Sequence, residues 1–158
     1  MDYVRGILLI VALIAALTAY GMLRERHSRR RREAFTRNRV PYTDLELVGG
    51  LGLSTDRDRR VCCAIRSAVA KKLGVPPEML HPNDDMYTLS FGLHYRVQVP
   101  EEAARDAIEH ELGKPLDALY EALESFEGRG TGAAKNFREF LLFYLEHLDR
   151  LTQPKNNT

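Results

Sequence analysis

The chain has 158 residues, with 23 Lys+Arg, 22 Asp+Glu and a formal net charge of +1. With 44% hydrophobic residues, 11 Gly, 7 Pro and 2 Cys, it is not a collagen-like repeat, a disordered chain, a disulfide scaffold or a multi-span transporter. Neutrality hides a split: Arg24 to Arg39 holds eight Arg against two Glu, a net +6, while residues 40–158 hold 14 basic and 19 acidic residues, a net −5.

Gly6 to Leu23 contains no charged residue and no Pro. Eighteen residues make about 27 Å of helix, close to the hydrocarbon thickness of a bilayer. Tyr3 and Tyr20 lie near the two ends, where amphipathic rings favour the interface. The segment predicts a retained membrane anchor over residues 1–23. A cleaved signal peptide fits less well, because only Arg5 precedes the run and the best small-residue site, Ala16-Leu17-Thr18, is poor.

Residues 24–40 read as an Arg-rich juxtamembrane linker. Arg24, Arg26, Arg29, Arg30, Arg31, Arg32, Arg37 and Arg39 form a topology signal and the candidate contact with anionic headgroups. By the positive-inside rule the amino terminus is outside and the C-terminal part cytoplasmic, at the cell (plasma or inner) membrane. Nucleic acid is not expected as a partner, since the attached domain is acidic and only Phe35 interleaves the run.

Residues 41–151 predict a small, mainly helical domain, and 152–158 a disordered tail. Asp44-Leu45-Glu46-Leu47-Val48 is taken as a short strand, ended by Gly49-Gly50. Gly50-Leu51-Gly52 is not a dinucleotide loop, because Thr55 stands at the third glycine position. Ser54 or Thr55 caps a first helix whose stripe is Val61, Ile65, Ala68, Val69 and Leu73, stopped by Gly74 and Pro76-Pro77. Cys62 and Cys63 beside that stripe are small core residues. Pro76 to Gly92 is a loop with one helical turn at Glu78-Met79-Leu80. His81 with Asp84 and Asp85 lacks a fourth metal ligand. Leu93, Tyr95, Val97 and Val99 alternate as a strand, with 44–48 as its candidate partner in a two-stranded ribbon.

Three further helices are expected. Pro100 to Leu112 packs through Ala103, Ala104, Ala107, Ile108 and Leu112. Leu116 to Glu127 carries Leu119, Tyr120, Leu123 and Phe126. Ala133 to Leu151 carries Phe137, Phe140, Leu141, Tyr144, Leu145 and Leu148 on one stripe. The fold class is thus mostly α: one transmembrane helix, then a four-helix cytoplasmic domain with that short ribbon.

No catalytic constellation is present. His110-Glu111 begins a zinc-protease string, but Lys114 stands where the second His must be. The five His are scattered. No cofactor or metal is expected, and an enzyme is less favoured than a binding or scaffolding module with a protein partner. The alternative is a membrane-bound enzyme or degenerate carrier acting on acyl or lipid groups. Its basis is residues 60–89, where a helix ending Lys71-Lys72-Leu73-Gly74-Val75 is followed by Pro-Pro-Glu-Met-Leu-His-Pro-Asn-Asp-Asp-Met. This segment resembles the first helix and following loop of acyl carrier proteins. The family's phosphopantetheine-bearing Asp-Ser-Leu is absent, Leu89-Ser90-Phe91 standing in that region, so the resemblance implies a carrier-like fold without the prosthetic group.

Overall fold

A computed structural model of the chain describes residues 2–89, 98–113 and 134–152; side chains at 2–5, 8, 87, 88, 98, 99 and 149–152 are outside that description. The chain divides into two compact units, Met1–Asn38 and Arg39–Thr158.

The first unit is one helix, α1 (Asp2–Thr36). It runs without a break from the apolar segment into the Arg run, so the expected linker is helical as far as Thr36. The reason is local: between Gly21 and Pro41 there is no Gly or Pro, and Arg, Glu and Ala are good helix formers. Arg29 pairs with Glu33 at 2.8 Å, one turn on, and Arg32 with Glu25 at 2.8 Å. From Ile7 to Leu23, ten large apolar side chains are 57–71% exposed. At 100° per residue they leave no polar face. Thr18 turns its hydroxyl back onto the Ile14 carbonyl at 2.7 Å, satisfying it within the helix. Among the described residues no helix is long and apolar enough to cross a membrane.

In the second unit the regular elements among the described residues are all helices, with no strand. The predicted strand 44–48 is overturned: Asp44–Leu51 is a helix, α2. Thr43 and Glu46 decide it by a reciprocal cap. The Thr43 hydroxyl accepts from the Glu46 amide (3.2 Å), and the Glu46 carboxylate accepts from the Thr43 amide (2.7 Å). Leu47 and Leu51, four apart, are both buried. Gly52, at φ 69°, then ends the helix in the left-handed conformation.

Helix α3 (Asp56–Leu73) follows the expected plan. The Thr55 hydroxyl accepts from the Asp58 amide at 3.1 Å, Lys71 and Lys72 sit in the last turn, and Gly74 closes it. Val61, Ile65, Val69 and Leu73 are buried as expected; Ala68 is only half-buried. Pro77–Met79 forms the expected turn, as a 3-10 helix, and α4 is the short Met86–Leu89.

Helix α5 (Gln98–Leu112) buries Ala103, Ala104, Ala107 and Ile108, with Leu112 half-buried. These small side chains let α3 and α5 approach closely, and this pair carries the main helix–helix packing described. Gln98 and Val99 already belong to α5, so they leave the predicted strand 93–99; the rest of it, and the predicted helix 116–127, lie outside the described residues.

The last helix is α6 (Phe137–Thr152). It starts later than Ala133 because Asn136 caps it: its side-chain oxygen accepts from the Glu139 amide (2.9 Å), and Glu139 accepts from the Lys135 amide (2.8 Å). Phe137, Phe140, Leu141, Tyr144 and Leu148 are buried, and Phe140 meets Tyr144 edge-on at 5.1 Å. Asp85 and Asn136 form an isolated antiparallel bridge that fixes the loop before α4 against the start of α6.

Candidate functional site

The eight predicted headgroup-contact arginines do not share one environment. Arg24, Arg26, Arg30, Arg31 and Arg37 are exposed; Arg29 and Arg32 are held in the ion pairs within α1. Such exposed pairs contribute little and open readily. Arg39 departs from the expectation. It belongs to the helical unit, where its Nη1 donates to both oxygens of the buried Asp84 (2.6 and 2.7 Å) and to the Met79 carbonyl (3.1 Å). A guanidinium committed to a buried carboxylate is part of the fold of this unit.

Asp84 is a junction. Its Oδ2 also accepts from the His81 amide (2.8 Å), and its carbonyl accepts from the Phe137 amide (2.8 Å), the first residue of α6. The His81 ring lies 2.9 Å from the Val40 carbonyl through Nε2 and 5.3 Å, centroid to centroid, from the Tyr42 ring. Arg39, Tyr42, His81, Asn83, Asp84 and Arg138 line a polar cleft of about 270 Å³. Among the described residues no group of three His, Cys, Asp or Glu is placed to hold a metal ion.

A second cavity, about 440 Å³, lies between α2 and α3. It is walled mainly by Leu45, Val48, Leu53 and Cys63, with Asp44 and Arg59 as charged lining. Leu45 is 85% exposed. Beneath the start of α2, Arg66 is fully buried in the α3 stripe. It donates to Asp44 (2.8 Å) and to the Tyr42 carbonyl, and its Nε has no partner among the described residues. Neither Arg66–Asp44 nor Arg39–Asp84 was foreseen from sequence. Arg66 was detectable, since it falls four residues after Cys62 and three before Val69 on the buried face. Nothing in the sequence marks a pairing 45 residues apart.

The thiols behave as core groups. Cys62 is buried, and burial pushes its pKa from the ordinary 9.0 up to about 12; Cys63, half-buried, is also raised, first by burial and then by the Asp44 charge. Burial likewise raises Tyr144 and Glu101. Glu46 is lowered, chiefly by the hydrogen bond from the Thr43 amide. Two results follow. At pH 8 a thiol reagent labels Cys63 slowly and Cys62 only on unfolding, as mass spectrometry of the labelled peptides will read. Below pH ~9 both thiol states are neutral; from pH ~9 to ~12 only the unfolded chain ionises at Cys62, so stability falls with rising pH there, by up to about 4 kcal/mol. The Cys62→Ala variant should show a shallower slope in chemical-denaturation curves, the remainder coming from Cys63 and Tyr144, which burial also raises; an unchanged slope would mean that Cys62 does not contribute.

The chain matches no family model, no curated protein and no solved structure.

Proposed function

We propose that the chain is a single-pass membrane protein whose helical domain acts as a tethered, non-catalytic binding or scaffolding module. One observation carries this reading: the uncharged segment of α1 exposes apolar side chains around its whole circumference. An apolar surface with no polar face favours hydrocarbon over water by about 25 cal/mol per Å². Counted by sequence, Gly6 to Leu23 is long enough to span. The exposed arginines that follow would then rest on anionic headgroups and keep the domain cytoplasmic, with the amino terminus outside.

The partner we favour is a basic protein. Glu102, Asp106 and Glu109 fall on one face of α5, the first two exposed and the third half-buried. Charge across such a surface sets specificity and association rate more than raw affinity. Capture from detergent-solubilised membranes should therefore weaken at least about tenfold between low and high salt, and equally in a triple variant carrying Glu102→Lys, Asp106→Lys and Glu109→Lys. Capture that ignores both would remove the acidic face from the account.

The second reading, handling of acyl or lipid groups, has one observation in its favour, the apolar cavity beside Leu45. Mass spectrometry of the purified protein separates the two. A stoichiometric lipid or acyl adduct supports the second reading, and an unmodified, lipid-free chain supports the first.

A further inference from the structure

We propose that the polar cleft lined by Tyr42, Asn83, Asp84 and Arg138 binds the phosphate group of a small phosphomonoester, with Arg138 as its principal binding residue. The inference is independent of how the protein is anchored.

Charge is the first argument. Two arginines, Arg39 and Arg138, face one acid, Asp84. Asp84 is already neutralised: Arg39 bonds both its oxygens and the His81 amide bonds one. Arg138 is exposed, with no hydrogen bond or ion pair from its side chain among the described residues. The cleft therefore presents one uncompensated guanidinium over a neutral pair, and a dianion gains about twice the Coulomb energy of a carboxylate there.

Donor geometry is the second. The backbone amides around the cleft are occupied: Asp84 donates to the His81 carbonyl (3.0 Å), Phe137 to the Asp84 carbonyl (2.8 Å) and Arg138 to the Pro82 carbonyl (2.7 Å). Recognition falls to side chains. The Arg138 fork matches two oxygens of a phosphate, and the exposed Asn83 amide supplies a donor from the facing loop. The cleft, about 270 Å³, equals the volume of about nine liquid waters, room for a phosphate and a short substituent. With one cation in an open cleft, the dissociation constant should lie in the millimolar range.

The test is an amide-resolved NMR titration of the full-length protein in neutral detergent micelles at constant ionic strength. Inorganic phosphate and glycerol 3-phosphate are the probes, and chloride and acetate the controls. Saturable shifts centred on residues 81–84 and 138, produced by the phosphates alone, are expected. Arg138→Ala should weaken binding at least about tenfold, and Arg138→Lys, which keeps the charge without the fork, less. Because the Arg138 side chain is exposed and its amide bond to Pro82 survives substitution, both variants should give otherwise unchanged spectra. Nanodiscs containing phosphatidic acid provide the other arm. Shifts at these residues without added anion assign a lipid headgroup as the source, and shifts only with soluble probe assign a free phosphomonoester. Shifts shared with chloride, no saturation, or binding unchanged in Arg138→Ala would overturn the proposal.

Discussion

Placing arginine at both Ile10 and Ile14 should release the protein from membranes into the supernatant of an alkaline carbonate wash. Each guanidinium near the centre of a spanning helix costs about 2.5–3.5 kcal/mol by insertion scales. Two together, about 6 kcal/mol, lower the inserted fraction by about four orders of magnitude. Ile10 and Ile14 lie one turn apart and are 60% and 58% exposed, so neither supports packing that the substitution would destroy. Double replacement by leucine is the control and should leave the protein in the pellet. If the arginine variant sediments with the membranes as fully as the parent, α1 is not what holds the molecule there.

The second large effect is an asymmetry at Arg66. Asp44→Ala should cost about 3–5 kcal/mol of stability, whereas Arg66→Met should be near neutral, both read by thermal unfolding of the full-length protein in detergent. The reason is burial. The Arg66 side chain is 1% exposed and Asp44 59%. Removing the acid strands a charge in the core, the expensive way to break such a pair. Removing the arginine leaves an aspartate already in contact with water. Methionine fills the space of the aliphatic stem and eliminates the unpartnered Nε. What is lost is the pair with Asp44, which water can replace at that exposed carboxylate, and the donor to the Tyr42 carbonyl, worth about 1 kcal/mol. Equal costs for the two substitutions would show that Arg66 acts through hydrogen bonds to backbone rather than through its charge.

The parts of the fold that the sequence announced are those written in local chemistry. Helix α3 was legible because its cap, stripe and terminal glycine all lie within twenty residues and agree. The end of α6 was legible from its aromatic stripe, but its start was not, since Asn136 and Glu139 outweigh the apolar spacing that reaches back to Ala133. Helix α2 was misread for a physical reason. Asp44, Leu45, Glu46 and Leu47 alternate as a strand would, while the cap at Thr43 and Glu46 favours a helix; the cap prevails because Leu47 and Leu51 can then share the buried face.

The sites were less legible than the fold. An arginine run announces itself by composition, and most of it does lie exposed along α1. Arg39 shares that composition but not that environment, because its environment is set by Asp84, brought near only once α3, the Pro77–Met79 turn and α6 have packed. The polar cleft exists for the same reason, and no spacing rule contains it.

The central claim is that α1 crosses the bilayer with the helical domain on the arginine side, and protease protection tests it most directly. Sealed right-side-out vesicles carrying the full-length protein are exposed to an external protease, and the C-terminal region is followed with an antibody to residues 140–158. The account predicts that this region survives until the vesicles are opened with detergent and is then digested. Digestion in sealed vesicles, with an internal marker intact, would contradict it.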